Sequence, residues 1–163
     1  MIEIKYLMMV GLVVIVFALA AFLFFPNKSP DEKNLKNIQI LKRNGEIVKL
    51  KAEIVSDALS LSRGLMGRKT LPQNQGMLFV FAQEDKYAFW MMNTTIPLEA
   101  LHFSANGELV DIVKMEPCTN LISCPKYPPK TASKYVLEVN QGFSERNEIE
   151  ISKSKIEIGE EIR

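Results

Sequence analysis

The residues best equipped for chemistry lie between Phe89 and His102, where the chain reads FWMMNTTIPLEALH. This stretch joins the only tryptophan and the only histidine of the protein to Asn93, Glu99 and two methionines. Three readings compete for it: acid–base catalysis through Glu99 and His102, a soft-metal site, or a core strand with satisfied polar groups. Side chains alternate faces along a strand, so Glu99 and His102, three apart, point to opposite sides unless a bulge intervenes. They make a poor ligand pair and a poor base–orienter pair. His102 shares parity with Ile96, Leu98 and Ala100 and reads as a hydrogen-bonded core histidine, because base catalysis needs a placed partner that it lacks. Glu99 shares parity with Asn93, Thr95, Leu101 and Phe103, a mixed face that could line a pocket.

Met66, Met77, Met91, Met92 and Met115 accompany His102, Cys118 and Cys124, and thioether, thiolate and imidazole together suit Cu(I). No Met-x-x-Met or Cys-x-x-Cys spacing supports such a site, and methionine commonly fills irregular core gaps. Neither metal nor cofactor is expected, and Cu(I) stays a minor alternative. Nucleophile signatures are also missing: there is no Gly-x-Ser-x-Gly, no phosphate loop and no histidine spaced to either cysteine. Cys118 and Cys124 flank a short loop in PCTNLISCPKYPP, which suits a disulfide in an oxidising compartment; the alternative is two free thiols in a reducing one.

The elements that must position these residues begin at Asn44-Gly45, between IQILKR and EIVKLKAEIV, a hairpin signal in which both residues tolerate the positive φ of a type I′ turn. Val48, Leu50, Ala52 and Ile54 alternate with Lys49, Lys51 and Glu53, giving one buried and one wet face. Ser56 to Met66 changes to helical spacing after a cap at Ser56 or Asp57. From Gly76 the runs GMLFVF, YAFWMM, IPLEALHF, LVDIVKM and KYVLEV read as short strands of an antiparallel sheet closing toward a barrel. Pro97 places its strand at an edge or a bulge. Gly142 to Glu148 reads as a short helix or turn, and Lys155 to Arg163 as a last strand. The fold class expected is α+β, mainly β: a compact antiparallel, barrel-like domain with one helix packed on the sheet.

With 47% apolar and 24% charged residues and a net charge of +1, the composition is that of a globular protein and excludes charge-driven nucleic-acid binding. Part of the apolar excess is the uncharged run Leu7 to Phe25, roughly 28 Å as a helix and so about the thickness of a bilayer's hydrocarbon. Residues 1–25 are therefore read as a transmembrane anchor in the lipid bilayer, 26–37 as a polar linker and 38–163 as the folded domain. Ala18-Leu19-Ala20 resembles a signal cleavage site, but the apolar run continues past it. Lys5 before the run against Lys28, Lys33 and Lys36 after it would leave the domain in the cytoplasm. The cysteines favour an outward-facing domain, which is the expectation adopted; cleaved-and-secreted and cytoplasmic-facing forms are the alternatives.

The blocks SRGLMGR, GMLFVF, FWMMNTTIPLEALHF and YVLEVNQG, in that order across Ile47 to Arg163, resemble the domain-of-unknown-function family DUF192. The resemblance implies a compact β-barrel-like fold with one helix, often exported or membrane-tethered, without an established activity. Residue by residue, Arg63 matches the family's arginine before Gly-Leu-Met, and Gly76 to Phe79 match its Gly-Met-Leu-Phe strand. Where the family has Phe-Trp-Met-Lys-Asn-Thr and Ile-Pro-Leu-Asp, this chain has Met92 for the lysine and Glu99 for the aspartate. The lost cation weakens a catalytic reading more than a binding one.

Arg63, Trp90, Asn93, Glu99 and Glu138 supply a guanidinium fork, an indole, an amide and two carboxyls that could converge on a small polar ligand. The competing arrangement has Arg63 clamping Glu99 or Glu138 in a buried pair, with Asn93 tying a bulge. The function expected is a non-enzymatic binding module for a small polar ligand or an envelope protein. The alternative is a hydrolase or transferase with Glu99 as base beside Arg63, which requires Glu99 exposed in a concave pocket.

Overall fold

The structure, a computed structural model, describes residues 34–119 and 123–159. The run Leu7 to Phe25 lies outside them, as does the linker up to Lys33. Nine strands and two short helices follow in the order β1 (Leu35–Lys42), β2 (Ile47–Val55), α1 (Ala58–Arg63), β3 (Gln75–Asp85), β4 (Phe89–Trp90), β5 (Leu98–Phe103), β6 (Leu109–Met115), β7 (Lys126–Tyr127), β8 (Ser133–Asn140), α2 (Phe143–Arg146) and β9 (Ser154–Glu157). β1 reaches back into the stretch read as linker, because Leu35, Lys36 and Asn37 pair with Glu53, Ala52 and Lys51. Among the described residues no helix is long and apolar enough to cross a membrane.

Seven strands form one sheet in the order β6-β5-β8-β3-β2-β1-β9, and β4 pairs with β7 in a separate ribbon. The sheet is not purely antiparallel: β2 and β3 run parallel, α1 and the turns around it forming the crossover. It curls until its ends approach. Ile156 N–H donates to Gly107 O and Ser152 N–H to Leu109 O, both at 2.8 Å, which makes a strongly curled half-barrel.

The hairpin falls where Asn44-Gly45 predicts it, with a different turn. Gly45 has φ 86, while Asn44 is not among the residues of positive φ. Gly45 N–H bonds Lys42 O at 3.0 Å, so the loop is a three-residue turn closed by a left-handed glycine. Pro97 also departs from expectation. It stands just before β5, which lies between β6 and β8 and is a central strand, so the proline removes no ladder hydrogen bond.

All six residues of β5 are buried, because both faces of the sheet are covered there. Leu101, Phe103, Leu137 and Val139 pack with Ile38, Ile40 and Ile156 on the face the sheet curls around. Leu98, Ala100, Val136, Met77 and Phe79 pack on the other face beneath Leu65, Leu71, Phe89, Met91 and Ile96. Gly76 allows the central strands to close up: a Cβ there would stand 2.6 Å from the carbonyl oxygen of Glu138.

Candidate functional site

α1 and the turn after it form one wall of a polar cleft over the second face. Asp57 Oδ1 accepts from the amides of Leu59 (3.1 Å) and Ser60 (3.0 Å), capping the helix as its position predicts. The helix buries no residue fully and Leu59 is 78% exposed, so only the half-buried Leu61, followed by Leu65 in the turn after it, packs onto the second face of the sheet. It ends at Gly64, whose φ of 47 and ψ of −135 suit glycine alone. A Cβ there would meet the Phe79 ring at 3.2 Å and would lie 3.8 Å from Glu138 Oε2. The glycine lets the backbone cross directly above that carboxyl.

The cleft has about 30 Å³ of room, with Glu138 and Phe79 below, Gly64 and Thr94 beside it, and Arg63 and Trp90 among its lining. Arg63 is exposed and Trp90 is 42% exposed, so both stand at its mouth. Trp90 is fixed by the ribbon, where it faces Lys126 of β7. Arg63 has no ion pair among the described residues.

Glu138 is 4% exposed, and its Oε2 has no hydrogen-bond partner. Burial pushes its carboxyl up to about 8; the charge of Arg68 partly opposes the shift. Strand pairing explains that charge. Glu53, Met77, Glu138 and Ala100 form one row across β2, β3, β8 and β5, on one face of the sheet. Arg68 grips Glu53 with both guanidinium nitrogens, the Nη2–Oε2 contact being 2.6 Å, and so stands over this row. Unbonded buried oxygens are uncommon in folded proteins and call for an explanation.

Of the five residues expected to converge, the structure brings Arg63, Trp90 and Glu138 together and leaves Asn93 and Glu99 apart. Asn93 is exposed, with φ 52, and its carbonyl accepts from Gly67 N–H at 2.8 Å, so it shapes the cover by its backbone. Glu99 pairs across to Val139 and therefore lies on the opposite face from Glu138. It is 0% exposed, its Oε1 accepting from Ser144 N–H at 2.5 Å and its Oε2 from Gly142 N–H at 3.1 Å. It caps the start of α2 and is neither exposed in a pocket nor beside Arg63, which removes the geometry that a Glu99 base would need. Arg63 clamps neither carboxyl; the arginine in a two-point pair is Arg68, with Glu53.

His102 is buried, with Nδ1 3.0 Å from Ser133 Oγ and its ring edge-on to Phe89. Burial lowers its pKa to about 4, against a smaller upward pull from Asp111, so the imidazole is neutral. Cys118 and Cys124 are joined in a disulfide, with Cα atoms 5.9 Å apart. That takes away the thiolates of the Cu(I) alternative, while Met77, Met91 and Met115 are core residues. Among the described residues no cluster of three or more His, Cys, Asp or Glu side chains is placed to hold a metal.

Sequence reasoning missed Gly64, Thr94 and Arg68. Gly64 and Arg68 belong to the SRGLMGR block, whose two glycines both take positive φ; that density of glycine beside arginine was the available signal.

Residues 39–158 match the pattern of the DUF192 family, described as an uncharacterized ACR. No curated protein matches the chain. Two solved structures share the fold. One, from Sinorhizobium meliloti and described as a proposed transcription regulator, is 24% identical with a TM-score of 0.66, covering 76% of this chain and 92% of its own. The other, a protein of unknown function from Novosphingobium aromaticivorans, is 24% identical with a TM-score of 0.69, covering 80% and 90%. At that identity the likeness extends to the fold alone.

Proposed function

The chain belongs to the DUF192 family, and from that premise we propose that its β-rich domain is a non-enzymatic binding module for a small polar ligand, held outside the cytoplasm by the Leu7 to Phe25 anchor. One observation carries the binding reading: the buried, unpartnered Oε2 of Glu138 at the floor of a cleft whose mouth holds Arg63 and Trp90. A polar atom kept from water without a partner costs about 1–3 kcal/mol, and a ligand that bonds it recovers that cost. Glu99 and His102 are both engaged in the interior, and Glu138, the carboxyl at the floor of the cleft, has no hydrogen-bonded orienting partner on its Oε2.

The test is an equilibrium screen of sugars, amino acids, organic acids and amines against the full-length chain, read by thermal shift and Trp90 emission. A ligand that raises Tm in the wild type but not in Arg63→Gln supports the reading. No shift across all four sets would sink it and leave only binding to an envelope protein.

The Cys118–Cys124 disulfide supports the outward orientation, since such bonds persist in oxidising compartments. In native membranes the two thiols should react with a labelling reagent only after reduction. Prompt alkylation without reductant would favour the cytoplasmic orientation that the lysines suggest.

A further inference from the structure

The size of the cleft decides how a ligand enters. Sites that enclose whole small molecules run to roughly 300–1,000 Å³, whereas this one has about 30 Å³. At about 10–15 Å³ for each water, it holds two to three oxygen-sized positions. A sugar ring or a nucleobase stays outside, and only the tip of a ligand goes in.

The lining then selects the tip. Arg63 brings an unpaired guanidinium, and Arg68 adds positive charge nearby, so an ammonium tip is repelled. A hydroxyl or amide tip can bond both Glu138 and Arg63, but as a neutral group it leaves the charge of the guanidinium uncompensated. A phosphate monoester brings three terminal oxygens and up to two negative charges to a cleft whose lining offers one guanidinium and one carboxyl. A carboxylate has two oxygens, in a plane: one can accept from the Glu138 carboxyl and the other from the guanidinium, both as charge-assisted bonds. The half-exposed face of Trp90 at the mouth then meets whatever apolar body carries that carboxylate.

We infer that the Arg63–Trp90–Glu138 cleft takes the carboxylate of an apolar monocarboxylate, either a small organic acid or the free C-terminus of a peptide. This rests on the reading of the cleft as a binding site. The proton on Glu138 is the donor, and ionisation of that carboxyl removes the bond and puts two anions in contact. The groups facing it are Arg63 and Arg68 from α1 and the turn after it, Glu53 of β2 held by Arg68, and the neutral His102 of β5. β3 contributes Met77 and Phe79, and β4 contributes Phe89 and Trp90, none of them titratable. Affinity is therefore flat between the ligand's own titration at about pH 4 and about pH 8, and falls about tenfold per unit above that.

Trp90 is the only tryptophan, so its emission reports the mouth of the cleft directly. The experiment titrates full-length protein in detergent with phenylacetate, phenylacetamide and 2-phenylethylamine, and with a tetrapeptide ending in Phe, its C-terminus free or amidated. Phenylacetate should bind saturably, and the amide and amine at least about tenfold more weakly. Arg63→Gln should lose a similar factor. Glu138→Gln, whose amide N–H still donates, should keep binding and lose the pH dependence. A free peptide end that outbinds phenylacetate identifies the chain-end source, and the reverse order identifies a small acid. Amide or amine binding as tightly as the acid overturns the carboxylate inference and leaves the binding module standing. No response to any of the five probes or the wider screen, from protein shown to be folded by its thermal transition, overturns both.

Discussion

Glu138 sets the pH response of the folded protein. Its carboxyl titrates near 8 in the fold against an ordinary 4.5, so between those values the folded state holds a proton that the unfolded chain has released. Stability contributed by this group is complete below about pH 4.5, declines as pH rises, and is lost once pH passes about 8. Each unit of separation is worth about 1.4 kcal/mol, so the loss is on the order of a few kcal/mol. Glu138→Gln removes the dependence: thermal melts should give it a higher Tm than wild type at pH 8.5 and an equal one at pH 5. A wild-type Tm that does not drop relative to Glu138→Gln over that range would mean that the carboxyl is already ionised or solvated. The parity of Glu138 with Val136 is legible in KYVLEV. What covers that face is not, because the cover comes from residues 64–72 and 87–96, brought there by pairings distant in sequence.

At the scale of elements, local chemistry reads well and long-range pairing poorly. Asp57 before a helix and Gly45 in a turn act through bonds to near neighbours, and the sequence places both. The parallel pairing of β2 with β3 depends on the crossover through α1, and the central position of β5 on β8 inserting beside it; neither leaves a local pattern. Glu99 illustrates the limit. Its parity predicts which face it takes, but its partners, the amides of Gly142 and Ser144, lie more than forty residues away. Glu99→Ala should strip α2 of its cap, leave the buried amide of Ser144 and the half-buried amide of Gly142 without this partner, and cost roughly 3 kcal/mol in urea unfolding. Because it acts through the opposite face, Trp90 emission and phenylacetate binding should be unchanged in the folded variant. Altered binding would instead tie Glu99 to the cleft.

Taken as a whole, the molecule is a curled sheet with a separate cover on one face, and the disulfide belongs to the cover. Cys118 N–H donates to Thr94 O at 3.1 Å, and Cys118 bridges both Met92 and Thr94. Just past Cys124, Lys126 and Tyr127 pair with Trp90 and Phe89, and the Tyr127 hydroxyl accepts from Glu116 N–H at 3.2 Å. Both ends of the closed loop thus hold the strip that carries Trp90 and Thr94 across the cleft. Closing so short a loop removes little unfolded-state entropy, about 2 kcal/mol. The larger consequence is local, since the ribbon pairs only two residues on each strand and, beyond the packing of Phe89 and Tyr127 on the core, depends on the loop to hold it. In the Cys118→Ser/Cys124→Ser double variant, urea unfolding should lose about 2 kcal/mol while far-UV circular dichroism is retained. Trp90 emission should shift to the red as the ribbon loosens, and phenylacetate affinity should fall several-fold. If emission and affinity stay at wild-type values while stability drops, the loop braces the fold but not the site, and the mouth of the cleft is held by Phe89 and Met91 in the core alone.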